Sequence, residues 1–488
     1  MDIDTIAIDA LPGELRVAHL QDGRLQDLTV YRADAQSIVG NMYVGRVDKV
    51  HNGLQAAFID IGLERAGFLA LAEVRPPDAD AENDTIGDYV REGDSVTVQV
   101  QRDPMETKGA KLTTELTVPG RFLVYTPCET GIRVSRRLAG GTTARKELVA
   151  QLESAIEEGE GLVVRTVAGE VDAGLVVSEV VALRDAWDAA EALEENAQPV
   201  TCIHNESDPL RNVLRNESGT SVRRIVVADG QTSRRLKALA ETLAPDIAAR
   251  IEPYDADGPL FENEGIEEQI EDALKAHVPL ASGGSLIVQE TAALVAIDVN
   301  TGGRSESGRE ETIARTNLEA VDEIVRQVVL RNLSGLILVD FVATRNRRHK
   351  NELLAAVRKA FEADRLPTHV LGYTPVGLLE MTRQRRQPPI SQTLGASCGL
   401  CHGAGHVKAP LTVAYDALRA ARAAARTAAG SSIALSVCDA VGDALDGAAL
   451  DARRFVEETL GAPLIVERTP DMAPDGYGLH VRPLGGAS

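Results

Sequence analysis

Over the first quarter of the chain, hydrophobic positions alternate with polar ones in short runs. Residues 14–20 (ELRVAHL) and 24–32 (RLQDLTVYR) flank a Gln-Asp-Gly turn, which predicts a β-hairpin. From residue 37, NMYVGRVDKVHNGLQAAFIDIG, ERAGFLAL, SVTVQVQRDP and KLTTELTV read as short strands punctuated by glycine, the pattern of a small antiparallel barrel. Residues 161–169 (GLVVRTVAG) read as a strand, and residues 175–193 (LVVSEVVALRDAWDAAEAL) as a strand running into a helix. Residues 223–243 (RRIVVADGQTSRRLKALAETL) give strand, turn and helix. Between about 276 and 370 the pattern is α/β. LIVQE and AALVAIDVN are strand-like, and a long segment follows with helical spacing at Ile313, Leu318, Val321, Ile324 and Val325. GLILVDFV is a continuous apolar run that suits a buried central strand, and ELLAAVRKAFEA is a second helix. A CGLCHGAGH loop (398–406) leads into an alanine-rich helix and a small α+β tail.

Composition adds bounds. A chain of 488 residues that is 44% hydrophobic can bury several cores, so roughly three or more domains are expected. No apolar run approaches the roughly 18 residues of a membrane span, and the acidic start MDIDTIAIDALPGEL lacks the form of a secretory signal. No membrane partner is expected. Five cysteines in so long a chain do not make a disulfide framework, and a reducing cytoplasm is the simplest setting. No GxxxxGK[ST] loop supports nucleotide-driven chemistry. The net charge of −22 opposes a polyanionic partner for the chain as a whole. Locally the balance reverses: residues 340–386 hold ten Lys/Arg against five Asp/Glu, with clusters at RNRRHK (345–350) and TRQRR (382–386). These clusters are either ordinary charged surface or a patch for phosphates, while acid collects elsewhere, as in PPDADAEND (76–84).

Three groups of residues could carry chemistry. Asp298 follows LVAI and Asp340 follows LILV, each at the end of an apolar strand, where α/β sheets place ligand and metal sites. Asn300, two residues after Asp298, would share its face. Two carboxylates with open positions suit Mg²⁺; the alternative is a pair of acids that cap strand ends or pair with nearby arginines. Phe58 and Phe68 sit on successive barrel strands of a chain only 3% aromatic, and Lys108 opens KGAKLTT. The rings are either core or a platform on which bases stack. Cys398 and Cys401 have the spacing of half a zinc site, and no second CxxC exists. A four-thiolate site would need a second subunit, whereas a site within one chain would recruit His402 or His406. A c-type haem attachment (CGLCH) and a plain turn with free thiols are the other readings.

Residues 37–71 closely resemble the inserted oligonucleotide-binding barrel of the bacterial ribonuclease E/G family. KGAKLTT (108–114), GLVVRT (161–166), SGGSLIVQETAALVAIDVNTG (282–302), TNLEAVDEIVRQ (316–327), GLILVDF (335–341), GLLEMTRQR (377–385) and CGLCHGAGHV (398–407) follow in the family's order. The resemblance implies an α/β multidomain protein. A split RNase H-like domain (1–35 and 205–275) would surround an OB-type barrel (36–119) and a 5′-sensor (120–204). A DNase-I-like catalytic domain (276–395), a zinc-link (396–408) and a small dimer-supporting α+β domain (409–488) would follow. It further implies Mg²⁺ on Asp298 and Asp340 supported by Asn300, RNA gripped by Phe58, Phe68 and Lys108, and a 5′-monophosphate recognised by Arg165 and Thr166. One Zn²⁺ would be shared between two chains through Cys398 and Cys401, giving a homodimer or a tetramer made of two such dimers. The implied activity is endonucleolytic hydrolysis of single-stranded RNA (rRNA precursors, mRNA) to 5′-phosphate and 3′-hydroxyl ends. The chain resembles the family's short form, without the tail that scaffolds a degradosome. One departure stands out: where the family reads Asp-Phe-Ile-Asp-Met, this chain has Asp340-Phe-Val-Ala343-Thr344. A homologue that binds RNA but cuts it weakly or not at all is therefore the alternative.

Overall fold

The computed structural model describes residues 3–33, 37–74, 84–104, 108–134, 142–206, 208–216, 222–302, 309–344, 346–385, 387–425 and 431–483. Most of PPDADAEND, together with Arg345 and Arg386 of the basic clusters, lies outside them. The chain forms two compact units, residues 1–393 and 394–488.

The first unit is built on four sheets. One has the strand order Ile251–Pro253, Arg224–Val227, Thr5–Leu11, Glu14–Gln21, Arg24–Arg32. It contains the expected hairpin, turned at Asp22 (φ 49°) and Gly23 (φ 73°), the two left-handed positions that a tight Asp-Gly turn supplies. Thr5–Leu11 pairs in parallel with Arg224–Val227, so the two ends of this sheet come from distant parts of the sequence.

The intervening residues include a closed five-stranded barrel. Met42–His51, Ala56–Asp60, Gly67–Ala70, Lys111–Thr113 and Ser95–Arg102 pair in turn, and Ser95–Arg102 returns to Met42–His51. The barrel is not wholly antiparallel as expected, because Gly67–Ala70 and Lys111–Thr113 run parallel. Val47, Ala57, Ile59, Leu69, Val98, Val100 and Leu112 fill it.

A four-stranded sheet (order Gly131–Val134, Gly161–Val164, Leu123–Thr126, Val118–Pro119) packs under one long helix, Ala173–Glu194. The strand expected at the start of 175–193 is thus helix. Asp172 caps it by accepting the Gly174 N–H, and Val176, Val180, Leu183 and Ala190 make a buried stripe at helical spacing. Tertiary burial has overridden the β preference of the valines.

The fourth sheet has the order His277–Pro279, Ser285–Glu290, Val295–Asn300, Gly335–Asp340, Leu379–Arg383, Thr368–Tyr373. Helix Arg309–Leu330 makes the crossover between its two parallel strands, and Leu286, Ile297, Val328, Ile337, Val339, Leu379 and Met381 form the core beneath. Leu318, expected on the apolar stripe of this helix, is exposed; the buried positions beside it are Thr316 and Asn317.

In the second unit, helix Pro410–Ala425 and helices Asp439–Asp446 and Leu450–Leu460 cover a three-stranded sheet of order Ile465–Arg468, Ser431–Val437, Gly478–Pro483. Among the described residues, no helix is long and apolar enough to cross a membrane.

Candidate active site

The crossover places Asp298 and Asp340 side by side. Val295–Asn300 and Gly335–Asp340 are parallel neighbours whose register pairs these two residues, at the carboxyl ends of both strands. Paired residues of adjacent strands lie about 4.8 Å apart and project from one face. That face is the exposed one: Asp298, Asn300 and Asp340 are exposed, while Ile297, Val299, Val339 and Phe341 between them are buried. Asn300 Nδ2 donates to Asp298 Oδ2 at 2.8 Å. Among the described residues, no lysine or arginine pairs with either aspartate; the nearest arginines in sequence, Arg304 and Arg345, lie outside them.

The surrounding loops hold this arrangement in place. Asn317, 2% exposed in the helix beneath, clasps the chain just past Asp340: its Oδ1 accepts the Val342 N–H at 3.0 Å and its Nδ2 donates to the Val342 carbonyl at 2.9 Å. Thr344 Oγ1 donates to Glu310 at 2.8 Å. On the other side, a Cβ on Gly302 would stand 2.3 Å from the Gly283 carbonyl, and one on Gly284 would stand 2.6 Å from that of Asn300. Glycine is needed because two backbones touch at the site's edge. Ala343 is exposed and leaves the aspartate register intact.

Two carboxylates and a carboxamide on an open face are hard oxygen donors that leave several coordination positions to water or substrate. That suits Mg²⁺ better than a closed all-protein cage. No cluster of three or more His, Cys, Asp or Glu able to hold a metal occurs among the described residues. A cleft of about 260 Å³ lies elsewhere, between helices Ala173–Glu194 and Pro209–Asn216. An open face at the strand ends, rather than a deep pocket, is a shape that admits a long polymer.

In the barrel, Phe58 and Phe68 are register partners. Both are half-buried, with ring centroids 5.9 Å apart in an edge-to-face arrangement. They are therefore neither core nor fully displayed. Lys108 is exposed, and the glycine after it is obligatory, since a Cβ there would lie 1.9 Å from the Ala66 carbonyl.

Arg165 is half-buried at the end of Gly161–Val164, and Thr166 is exposed beside it. The Arg165 guanidinium donates to the carbonyls of Gly120 (2.8 Å) and Arg121 (3.0 Å). From the other side the Glu179 carboxylate accepts the N–H groups of Arg121, Phe122 and Leu123. Burial pushes this carboxyl above its usual range against the pull of those three donors. Buried Arg121 then reaches Asp246 with both of its terminal nitrogens. The 120–123 segment is thus clamped from both faces, which sequence reasoning missed.

The basic cluster at 382–386 is not all surface. Arg383 is a core residue paired with Asp364, whereas Arg385 beside it is exposed and donates to Ser334 Oγ at 3.3 Å. In the second unit, Cys398 is exposed and Cys401 partly so. The N–H groups of Cys401 and Leu400 hold the Cys398 thiol below its usual range. His402 (φ 49°), Gly403 (φ 88°) and Gly405 (φ 72°) take left-handed turns that curl the loop.

The sequences of known proteins show the family. A sequence model described as the Ribonuclease E/G family matches residues 117–386. Ribonuclease G of Salmonella typhimurium (strain SL1344) is 35% identical over 425 residues, covering 85% of this chain and 86% of that protein. Ribonuclease G of Haemophilus influenzae is 34% identical over 86% of this chain and 87% of its own length. Ribonuclease E of Escherichia coli (strain K12) is 34% identical over 83% of this chain but only 39% of its own. The chain belongs to the ribonuclease E/G family. Within it, the chain is an endoribonuclease whose matching length is that of the ribonuclease G proteins.

Proposed function

We propose that this chain is a Mg²⁺-dependent endoribonuclease that cuts single-stranded, A/U-rich RNA (rRNA precursors and mRNA), leaving 5′-phosphate and 3′-hydroxyl ends. The observation that carries this reading is the register pair Asp298–Asp340: two neighbouring carboxylates with no cationic partner among the described residues, one of them oriented by Asn300. Two like charges so close favour a bound cation. When bound, Mg²⁺ supplies Lewis-acid stabilisation of the phosphate and lowers the pKa of water. Asp298 and Asp340 hold it by oxygen donors, and Asn300 fixes the Asp298 rotamer through its hydrogen bond. Asn317 keeps the Asp340 strand end from shifting.

The half-exposed rings of Phe58 and Phe68, with Lys108, grip the strand. Arg165 and Thr166 receive a 5′-monophosphate by charge-assisted and hydroxyl hydrogen bonds. The single sheet that joins residues 5–32 to 224–253 supports a split RNase H-like domain (1–35 and 205–275) around the barrel (36–119) and the 5′-sensor (120–204). Residues 276–395 are read as the DNase-I-like catalytic domain, 396–408 as the zinc-link and 409–488 as the small domain, in a cytoplasmic homodimer or a pair of such dimers.

The test is a fluorescent oligoribonucleotide carrying either a 5′-monophosphate or a 5′-hydroxyl, incubated with the full chain. Cutting is expected only with Mg²⁺, and faster by about tenfold or more on the monophosphate, the size expected for one charge-assisted bidentate contact of about 1.5 kcal/mol. Binding without Mg²⁺-dependent cutting would mean a non-catalytic homologue instead.

The zinc reading has its own check. Elemental analysis should find about half a zinc per chain, since four thiolates from two chains complete one tetrahedral site. Cys398→Ser should remove that zinc and shift sedimentation toward the monomer. About one zinc per chain would replace the shared link by a site completed within the chain, with His402 or His406.

A further inference from the structure

The barrel registers align a row of four side chains: Lys49 opposite Phe58, Phe58 opposite Phe68, and Phe68 opposite Lys111. Directly opposed residues project from the same face, so the two rings carry an ammonium on either flank. The two cations are not equivalent. Lys49 is exposed and has no ion pair or hydrogen bond among the described residues. Lys111 Nζ pairs with Glu73, at side-chain exposures of 33% and 20%. Glu73 is itself held firmly: its other oxygen accepts from Gln101 Nε2 at 2.5 Å, and its carbonyl accepts from Thr113 Oγ1 (3.1 Å) and the Thr114 N–H (2.9 Å). Burial would raise the Glu73 carboxyl, but the bonds from Lys111 and Gln101 outweigh it and hold it below the usual range. Its negative charge therefore persists at neutral pH.

We propose that this face is an asymmetric RNA platform in which Lys49 binds a backbone phosphate beside the base stacked on Phe58, while Glu73 masks Lys111 and keeps it from a second phosphate. The inference rests on the reading that Phe58 and Phe68 grip RNA. It assigns Lys49 and Glu73 the task of setting how many phosphates the barrel neutralises. In a chain of net charge −22, that number governs how tightly a strand is held against the repulsion of the rest of the protein.

Each phosphate neutralised on a single strand contributes about 0.7 to the slope of log K against log salt. The slope is measured by anisotropy with a 5′-monophosphorylated fluorescent oligoribonucleotide, on the full chain carrying Asp298→Asn and without added Mg²⁺. Lys49→Gln is expected to flatten the slope by about 0.7, and Lys111→Gln to leave it unchanged. Glu73→Gln is expected to steepen it by about 0.7 with tighter binding, a gain that disappears when Lys111→Gln is added. If Glu73→Gln fails to fold by thermal melting, the two lysine variants still decide. Equal flattening by Lys49→Gln and Lys111→Gln would overturn the masking, and an unmoved slope in Lys49→Gln would overturn the phosphate contact. Phe58→Ala and Phe68→Ala binding as tightly as the parent would overturn the barrel reading itself. Weak binding by those two with no effect of Lys49→Gln would overturn the inference alone.

Discussion

Replacing Asp298 by Asn should slow RNA cutting by about 10³-fold or more, a loss of roughly 4 kcal/mol of transition-state stabilisation, and leave the fold unchanged. The argument starts from shape. Asparagine fills the same space, and its carbonyl oxygen can still accept the hydrogen bond from Asn300. What disappears is one of two adjacent negative charges and the anionic oxygen donor that goes with it. A divalent cation held by oxygen ligands loses much of its hold when one carboxylate becomes a neutral amide. Stability should stay within about 0.5 kcal/mol of the parent, because the residue is exposed and removing one of two like charges relieves repulsion. Asp340→Asn should behave the same way. The double variant should fall little further, because the two residues hold one ion as a unit. Single-turnover cutting of a 5′-monophosphorylated oligoribonucleotide and melting by circular dichroism read both halves of the expectation. A single variant that cuts within tenfold of the parent would remove these aspartates from the metal site.

Much of this site was legible one strand at a time. The apolar runs LVAI and LILV identified the strands, and an aspartate ending each run marked where a charge would emerge. That the two aspartates are register neighbours was not legible. The pairing joins strands separated by a 22-residue helix, and a slip of one residue would have turned one carboxylate toward the core. Asn317 left a signal that went unused, a polar residue at a helix position whose neighbours are buried. Helical spacing puts Leu318 on the apolar stripe, yet the buried face runs through Thr316 and Asn317 instead. The valine-rich 175–193 segment misled for the opposite reason: β-branched residues dominate its first half, and the Asp172 cap that starts the helix lies just outside it. Arg383 could not be told from its basic neighbours, since sequence proximity says nothing about which arginine finds a buried acid.

That buried acid gives the second large effect. Asp364→Ala should destabilise the sheet that carries the aspartates by about 3–5 kcal/mol, a substantial share of the 5–15 kcal/mol that holds a typical domain. Arg383 and Asp364 are 3% and 1% exposed, and the guanidinium donates to both carboxylate oxygens at 2.8 and 3.2 Å. Removing Asp364 leaves the Arg383 charge in the core with, among the described residues, the Asn332 side chain and the Leu333 carbonyl as partners, at 3.1 and 3.0 Å. The cost falls on the strand that carries the chemistry, because Arg383 is the register partner of Gly335 at the start of the strand that ends in Asp340. Hydrogen exchange should therefore quicken at the amides of Gly335–Asp340 in Asp364→Ala, and cutting should be lost at a lower temperature than in the parent. Most of the loss comes from the stranded cation rather than from the missing attraction. The double variant Asp364→Leu/Arg383→Met should accordingly recover at least about half of it, although Asn332 and Leu333 then lose a donor. A double variant no more stable than Asp364→Ala would show that the attraction itself, and not the uncompensated charge, is what the pair contributes to the sheet.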